Sequence, residues 1–193
     1  MAARSVTLVR HGQTERSARM AYSGRLDIPL TDTGREQARQ AAAALAGAGV
    51  DAVVTSPLAR ARETAQAIAD ATGAPLTVDE RLTEIDYGSF EGLDRAGARA
   101  QLGQAFEDWR DDPFGAPVPG MEPLPAALER ASAATADALA AHAHPVLVGH
   151  QGILRIVLVA LGELAPADYF TRRLQEAEPV VIHRPVVQVR DQT

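Results

Sequence analysis

Short apolar runs alternate with longer helical stretches along this chain, and this alternation constrains its fold more than any other feature. Four runs have the composition of short, buried strands, at 5–10, 51–55, 76–78 and 145–149. Helices are predicted at about 31–46, 57–71, 94–108, 125–142 and 152–161. Because strands that alternate with helices pair in parallel between helical layers, we predict an α/β fold, a three-layer α/β/α sandwich with a mainly parallel sheet.

Local residue signals set several of the predicted boundaries. Thr31 or Thr33 can cap the first helix, and Pro57 suits the first turn of the second. The stretch 12–32 is predicted to be a loop. Near the end of the chain, the runs 180–182 and 186–189 have strand-like composition, and the proline between them is typical of a sheet edge.

Length and composition favour one domain that spans residues 1–193. Apolar residues make up 46% of the 193 positions, which is enough for a substantial core. Within this domain, residues 86–125 are predicted to form a lid-like segment that ends in a loop rich in proline. The strand edge expected near the end of the chain is compatible with a homodimer.

Charge and residue usage exclude several classes of function. The net charge of −6 argues against a nucleic-acid partner. All 19 basic residues are arginine, so lysine cannot supply a Schiff base or a P-loop charge. The absence of cysteine excludes disulfides and thiolate metal sites. No apolar run is long enough for a membrane span, and we expect a cytoplasmic protein that needs no cofactor.

Chemically distinctive residues follow three of the predicted strands. Arg10 and His11 follow the first strand, Arg60 comes shortly after the second, and His150 follows the fourth. In a parallel sheet these strand ends lie on one rim, so two histidines and two arginines are expected to converge. Two guanidinium groups suit a phosphoryl dianion, since each offers a fork of donors. The sequence therefore predicts a phosphate site at this rim.

The same residues suggest how a phosphoryl group could be transferred. Neighbouring cations lower the pKa of His11, which favours the neutral imidazole that can attack phosphorus. His150 can donate to the phosphoryl oxygens, as can backbone amides where a helix starts near Gly152. Glu84, after the third strand, is a candidate acid for the leaving group, and on chemistry alone Asp86 and Glu91 compete with it.

Other candidate residues have simpler structural interpretations. Arg62 is expected on a solvated helix face, unlike Arg60 at the strand end. His142 and His144 are more consistent with a helix C-terminus than with a metal site, and we expect no metal. His183 is expected to be structural. The pair Phe106 and Trp109 has helical spacing and is expected to pack in the core or under the lid-like segment.

Five motifs in order resemble the histidine phosphatase superfamily, also called the phosphoglycerate mutase-like family. They are Leu-Val-Arg-His-Gly-Gln-Thr at 8–14, Gly-Arg-Leu-Asp-Ile-Pro-Leu-Thr at 24–31, Ser-Pro-Leu-Ala-Arg-Ala-Arg-Glu-Thr-Ala at 56–65, Leu-Thr-Glu at 82–84 and Val-Gly-His-Gln-Gly at 148–152. The motifs are spread over most of the chain. The resemblance implies the phosphoglycerate mutase-like fold.

The resemblance also implies roles for individual residues. His11 would be the nucleophile that becomes phosphohistidine, and Glu84 the general acid that later serves as general base. Arg10, Arg60 and His150 would form the phosphate pocket, with His150 also assisting catalysis. Ser17, at a position where many members have asparagine, completes the candidate phosphate-binding set with Gly24 and Gln151. Members of the family need no metal for this chemistry.

The resemblance favours a histidine acid phosphatase-type phosphomonoesterase that acts on a small phosphorylated metabolite. The modest 88–125 segment and the short tail favour hydrolysis over the closed site of a mutase. Two alternatives stay open, a cofactor-dependent phosphoglycerate mutase and a non-catalytic module that binds a phosphorylated ligand. Asp111 and Asp112 weakly favour substrates with a single phosphate, because they would disfavour another anion nearby.

Overall fold

The computed structural model describes residues 4–184 and contains one five-stranded sheet in the order β3-β2-β4-β1-β5. The strands are β1 (Arg4–Arg10), β2 (Ala52–Thr55), β3 (Leu76–Val78), β4 (Pro145–Gly149) and β5 (Val180–Arg184). The first four strands pair in parallel, and β5 pairs antiparallel to β1 at the edge. This arrangement confirms the predicted α/β fold and mainly parallel sheet.

Seven α-helices lie among the described residues. They are α1 (Glu15–Ala18), α2 (Asp32–Leu45), α3 (Ala59–Thr72), α4 (Arg95–Leu102), α5 (Gln104–Asp111), α6 (Leu124–Ala141) and α7 (Gln151–Ala160). Short 3₁₀ turns occur at Glu80–Leu82, Gly88–Phe90 and Pro166–Asp168. Within residues 4–184, none of the helices combines the length and the apolar content that a membrane crossing requires.

Strand side chains alternate between the two faces of the sheet and so build two apolar clusters. Val9 and Val148 pack with the alanine-rich faces of α2 and α3. Leu8 and Leu147, one position away in each strand, pack on the opposite face with α6 and α7. The central strands are therefore buried on both sides, as a three-layer sandwich requires.

Several predicted boundaries are confirmed and others are wrong. Thr31 caps α2, and its hydroxyl oxygen accepts a hydrogen bond from the Gly34 amide at 3.0 Å. Pro57 is not in the first turn of α3, because Leu58 is the N-cap and the helix begins at Ala59. The predicted 94–108 helix is two helices, since Gly103 adopts a φ of 56°, which interrupts the helix.

The stretch 12–32, predicted to be a loop, contains the short helix α1. Thr14 and Ser17 form a reciprocal capping box that satisfies the first amides of this helix. Toward the chain end, 180–182 lies within the edge strand β5, as predicted. The predicted strand at 186–189 lies outside the described residues.

Candidate active site

The ends of β1, β2 and β4 meet on one rim of the sheet. Arg10 of β1 is in register with Gly149 of β4, and the His11 amide donates to the Gly149 carbonyl oxygen at 2.9 Å. The imidazole rings of His11 and His150 therefore lie close, with centroids 5.1 Å apart. The structure thus brings together the residues that the three strand ends were predicted to supply.

A cavity of about 230 Å³ opens at this rim. The charged and histidine side chains that line it are Arg10, His11, Arg60, Glu84, Arg155 and Arg173. Polar and apolar lining residues are Ser17, Ser23, Gln151, Met20, Ala21, Tyr22 and Tyr87. Two residues of the predicted set, Gly24 and His150, are not among the lining residues, and both accept hydrogen bonds from Arg60.

His11 is buried at the base of the cavity and has one nitrogen committed to the backbone. Its side chain is 4% exposed, and its Nδ1 lies 2.7 Å from the Gly12 carbonyl oxygen. Because a carbonyl only accepts, Nδ1 carries the proton and Nε2 keeps its lone pair. Burial first, and then the charges of Arg60 and Arg10, hold the pKa of His11 well below 6.5. The ring is therefore neutral and suited to attack an electrophile.

Arg10 is anchored by part of its guanidinium group. Nη1 donates to the Leu174 carbonyl oxygen at 3.2 Å, and Nη2 forms an ion pair with Glu176 at 3.3 Å. Its buried Nε has no hydrogen-bond partner among residues 4–184. Burial lowers the pKa of Arg10. The negative charges of Glu176 and Glu84 raise this pKa, and the positive charges of Arg173 and Arg155 lower it. The Nε–H is therefore a buried donor whose hydrogen-bonding capacity is unused by the described residues.

Arg60 is fully buried and held on three sides. Nε donates to His150 Nδ1 at 3.1 Å, Nη1 to the Leu26 carbonyl oxygen at 2.6 Å, and Nη2 to the Gly24 carbonyl oxygen at 2.8 Å. Gly24 and His150 therefore position Arg60, and each of its Nη nitrogens carries a second N–H beyond these hydrogen bonds. Arg62 is exposed on α3, as predicted.

His150 uses both ring nitrogens within the protein. Since Nδ1 accepts from Arg60, Nε2 carries the proton and donates to the Ser56 hydroxyl oxygen at 2.7 Å. Burial, followed by the charge of Arg60, holds the pKa of His150 well below 6.5. A direct hydrogen bond from His150 to a substrate oxygen would require the Ser56 contact to be released. No feature of the sequence indicated this positioning role for Ser56.

Glu84 is 6% exposed and accepts backbone hydrogen bonds at the start of α7. Oε1 accepts from the Ile85 and Ile153 amides at 2.9 and 2.8 Å, and Oε2 accepts from the Gly152 amide at 3.0 Å. A Cβ at Gly152 would lie 2.6 Å from Oε1, so this approach requires glycine. The sequence predicted that backbone amides near Gly152 would bind the substrate. This prediction is wrong for the amides of Gly152 and Ile153, because both donate to Glu84.

The competing carboxylates lie outside the cavity lining. Asp86 accepts from the Gly88 amide at 2.8 Å and lies 3.7 Å from the Arg25 guanidinium. Glu91 accepts from the Arg25 amide at 2.8 Å and from the Tyr87 amide at 3.3 Å. Both carboxylates therefore organise loops, and only Glu84 among the three faces the cavity.

Arg130 of α6 fixes the Glu84 segment, a role that the sequence analysis missed. Its Nη1 donates to the carbonyl oxygens of Arg81 and Thr83 at 2.6 and 2.7 Å. Its Nε and Nη2 pair with Glu122 at 2.7 and 2.9 Å. An arginine within the alanine-rich stretch of α6 is the only signal of this role in the sequence.

Ser17 and Gln151 line the cavity, but their polar atoms are used within the protein. The Ser17 hydroxyl accepts from the Thr14 amide at 2.9 Å and so completes the capping box of α1. The Gln151 amide group bridges the Arg172 carbonyl oxygen at 3.3 Å and the Leu174 amide at 3.2 Å. These hydrogen bonds fix the two side chains in the cavity wall, and they leave each side chain with few free donors or acceptors for a ligand.

The remaining histidines have separate surroundings. His142 is the C-cap of α6, and His144 Nδ1 lies 2.8 Å from the Ser5 hydroxyl oxygen. Residues 4–184 contain no group of three or more histidine, aspartate or glutamate side chains that could hold a metal ion. Phe106 and Trp109 are buried, with ring centroids 5.9 Å apart, which confirms the predicted packing role.

Fold and site together define an α/β protein that presents a neutral imidazole between two guanidinium groups at the carboxyl rim of its sheet. The chain belongs to the histidine phosphatase superfamily, branch 1, whose family profile matches residues 6–185. The family that the motifs predicted is therefore confirmed.

Both phosphatases and mutases are similar to this chain. A glucosyl-3-phosphoglycerate phosphatase of Mycolicibacterium vanbaalenii is 37% identical over 83% of this chain and 75% of that protein. A 2,3-bisphosphoglycerate-dependent phosphoglycerate mutase of Brucella ovis is 34% identical over 92% of this chain and 91% of that protein. A solved mycobacterial glucosyl-3-phosphoglycerate phosphatase in complex with VO3 has a TM-score of 0.83 and 31% identity, covering 93% of this chain and 92% of that one.

Proposed function

We propose that this protein is a phosphomonoesterase of the histidine acid phosphatase type, which hydrolyses a small phosphorylated metabolite through a phosphohistidine on His11. One observation carries the proposal. A buried, neutral His11 with a lone pair on Nε2 lines the same cavity as Arg10, Arg60 and the Glu84 carboxyl group. Similarity to named phosphatases supports the same conclusion.

In the first step, His11 Nε2 attacks phosphorus while the bond from phosphorus to the leaving oxygen breaks. Arg10 and Arg60 stabilise the charge on the phosphoryl oxygens, because their free donors are held in a desolvated site. Glu84 transfers a proton to the leaving oxygen. Its Oε2 accepts one backbone hydrogen bond from the described residues against two at Oε1, so Oε2 is the oxygen with room for that proton.

In the second step, a water oxygen bonds to phosphorus and the bond from phosphorus to Nε2 breaks. Glu84, now a carboxylate, accepts the proton that the water loses. Phosphate leaves, and His11 regains its neutral form. The two guanidinium groups supply the positive charge that phosphoryl transfer needs, and we therefore propose a reaction independent of metal and cofactor.

We further propose that residues 86–125 act as a lid-like segment of a single domain spanning 1–193. Of this segment, Tyr87 contributes to the cavity lining, while Phe90, Phe106 and Trp109 anchor it to the core. Because the segment contributes so little to the cavity lining, it leaves the phosphohistidine accessible to water. Access of water favours hydrolysis over transfer of the phosphoryl group to a second substrate. The proposed partner is a small phosphate monoester.

The choice between hydrolysis and mutase activity is tested with 3-phosphoglycerate and a 2,3-bisphosphoglycerate primer. We expect each 3-phosphoglycerate consumed to yield one inorganic phosphate, with no accumulation of 2-phosphoglycerate. Coupled assays for phosphate and for 2-phosphoglycerate, run on the same sample, measure both products. Rapid isomerisation with negligible phosphate release would identify a mutase instead.

Arg60 and Arg62 of α3 offer a matched pair of substitutions. Arg60→Lys removes the planar fork from the buried site, so we expect kcat/KM for p-nitrophenyl phosphate to fall by about 10²–10³-fold. Arg62→Lys changes an exposed side chain on the same helix and is expected to leave kcat/KM within about twofold. Equal effects of the two substitutions would remove Arg60 from the proposed site.

A further inference from the structure

Met20 holds a backbone conformation that residues other than glycine rarely adopt. Its φ is 56°, and it is one of two non-glycine residues with positive φ among residues 4–184. The Met20 amide donates to the Ser17 carbonyl oxygen at 3.0 Å. The Ala21 amide donates to the Arg16 carbonyl oxygen, also at 3.0 Å. This pair of hydrogen bonds is the Schellman motif that ends a helix, and glycine is its usual residue at the position of Met20. Because glycine would relieve the strain, folding does not account for the methionine side chain.

The Met20 side chain lies at the mouth of the active-site cavity. Met20 is 75% exposed, whereas His11, at the base of the same cavity, is 4% exposed. An apolar side chain in water gains free energy only when a ligand or a partner covers it. Methionine also adapts to apolar groups of different shapes, because it is unbranched and has several rotatable bonds. The side chain is therefore suited to contact a ligand that enters the cavity.

Three consecutive residues line the cavity with mainly apolar surface. They are Met20, Ala21 and Tyr22, here called the Met20 strip. The Tyr22 amide donates to the Leu93 carbonyl oxygen at 2.9 Å, and the Tyr22 carbonyl oxygen accepts from the Gly92 amide at 2.6 Å. The rings of Tyr22 and Tyr87 pack with their centroids 4.9 Å apart. One end of the strip is therefore held in place by the 86–125 segment, which lowers the cost of ordering it around a ligand.

We propose that the Met20 strip binds an apolar part of the leaving group. The preferred substrates are then phosphate monoesters whose alcohol carries an alkyl or aryl group near the phosphoester. The phosphoryl group is proposed to bind at the base beside His11, so the leaving group extends toward the mouth, where Met20 lies. The sequence-based preference for a single phosphate depended on Asp111 and Asp112, which do not line the cavity. This inference rests on the proposed phosphatase function and names its substrate class.

Ethyl phosphate and n-hexyl phosphate test the strip, because both release a primary alkoxide and the two alcohols have nearly the same acidity. They differ by four methylene groups, and each methylene that is fully removed from water favours binding by about fourfold. With about half of this surface covered, we expect kcat/KM of the wild-type protein to be about tenfold or more higher for hexyl phosphate. Met20→Gln keeps the length of the side chain but makes its end polar, and it should reduce this ratio to about threefold or less.

Two further variants separate an apolar contact from a structural effect. Met20→Leu retains an apolar side chain and should keep the ratio within about twofold of the wild-type value. Met20→Gly removes the side chain and suits a positive φ, so it should raise Tm by about 2–4 °C while it lowers the ratio. Val78→Gln is the matched control, since Val78 is 52% exposed on β3 and does not line the cavity. It should keep the wild-type ratio.

The inference is refuted if the wild-type protein hydrolyses ethyl and hexyl phosphate with equal kcat/KM, or if Met20→Gln keeps the wild-type ratio. A loss of the ratio in Val78→Gln as large as in Met20→Gln would also overturn it. So would a lower Tm for Met20→Gly, because folding would then account for the methionine. Failure of the wild-type protein to release phosphate from p-nitrophenyl phosphate as well would refute the underlying phosphatase function, a separately recognisable result.

Discussion

His11→Ala is expected to lower kcat for p-nitrophenyl phosphate by about 10⁴-fold or more, the largest effect that we predict. The nucleophile is lost, and His150 cannot replace it, because both of its ring nitrogens are bonded to Arg60 and Ser56. Release of p-nitrophenol under saturating substrate measures the effect. His183→Ala, on the exposed face of the edge strand, is expected to retain wild-type kcat.

Folding of the His11 variant must be shown separately, since His11 is buried. Circular dichroism and thermal unfolding of His11→Ala and His11→Asn provide that check. More than a tenth of wild-type activity in either folded variant would contradict the assignment of the nucleophile. Equal inactivity of wild-type and variant proteins, with a phosphorylated ligand still bound, would instead favour a non-catalytic binding module.

Glu84→Gln is expected to reduce kcat/KM by about 10²–10⁴-fold for an alkyl phosphate such as glycerol 3-phosphate. An alkoxide leaves poorly without a proton, and glutamine cannot supply one. The loss for p-nitrophenyl phosphate should be about tenfold or less, because nitrophenolate leaves without protonation. The ratio of the two losses is the informative measurement, since a merely structural defect would lower both equally.

The controls for Glu84 are the two competing carboxylates. Asp86→Asn and Glu91→Gln neutralise the two carboxylates, keep a side-chain oxygen that can accept from the Gly88 and Arg25 amides, and leave Glu84 in place. In each of these two variants, kcat/KM should change by the same factor for glycerol 3-phosphate and for p-nitrophenyl phosphate. If Glu84→Gln lowers kcat/KM equally for both substrates, Glu84 is not the acid, and a leaving-group effect in either control would reassign the role.

The features that the sequence predicted well have local causes. The strand β4 is a continuous apolar run, β1 has Val6, Leu8 and Val9 at its centre, and α2 follows a threonine that caps it. The different locations of Arg60 and Arg62 could be predicted because Arg60 is the one that lies close to a strand end, whereas Arg62 lies on another face of the helix. Convergence of the strand ends followed from parallel pairing alone, which places their carboxyl ends on one rim.

The features that the sequence did not predict depend on distant contacts or on single backbone angles. The Glu84 carboxylate reaches amides of Gly152 and Ile153, more than sixty residues along the chain. The hydrogen bonds of His150 to Arg60 and Ser56 depend on side-chain direction, which motif spacing does not specify. The break in the 94–108 helix depends on the conformation of Gly103. The positive charge at Arg155 and Arg173 arises only when α7 and the segment that follows it pack together.

The central claim is that His11 carries the phosphoryl group, and trapping the labelled intermediate tests it most directly. Protein mixed briefly with a ³²P-labelled substrate is denatured, divided between acid and alkali, and mapped by peptide analysis. We predict a label on the peptide containing His11 that is lost in acid and kept in alkali, as expected for a phosphoramidate. A label that survives acid and maps to Ser17 or Ser56 would contradict the claim.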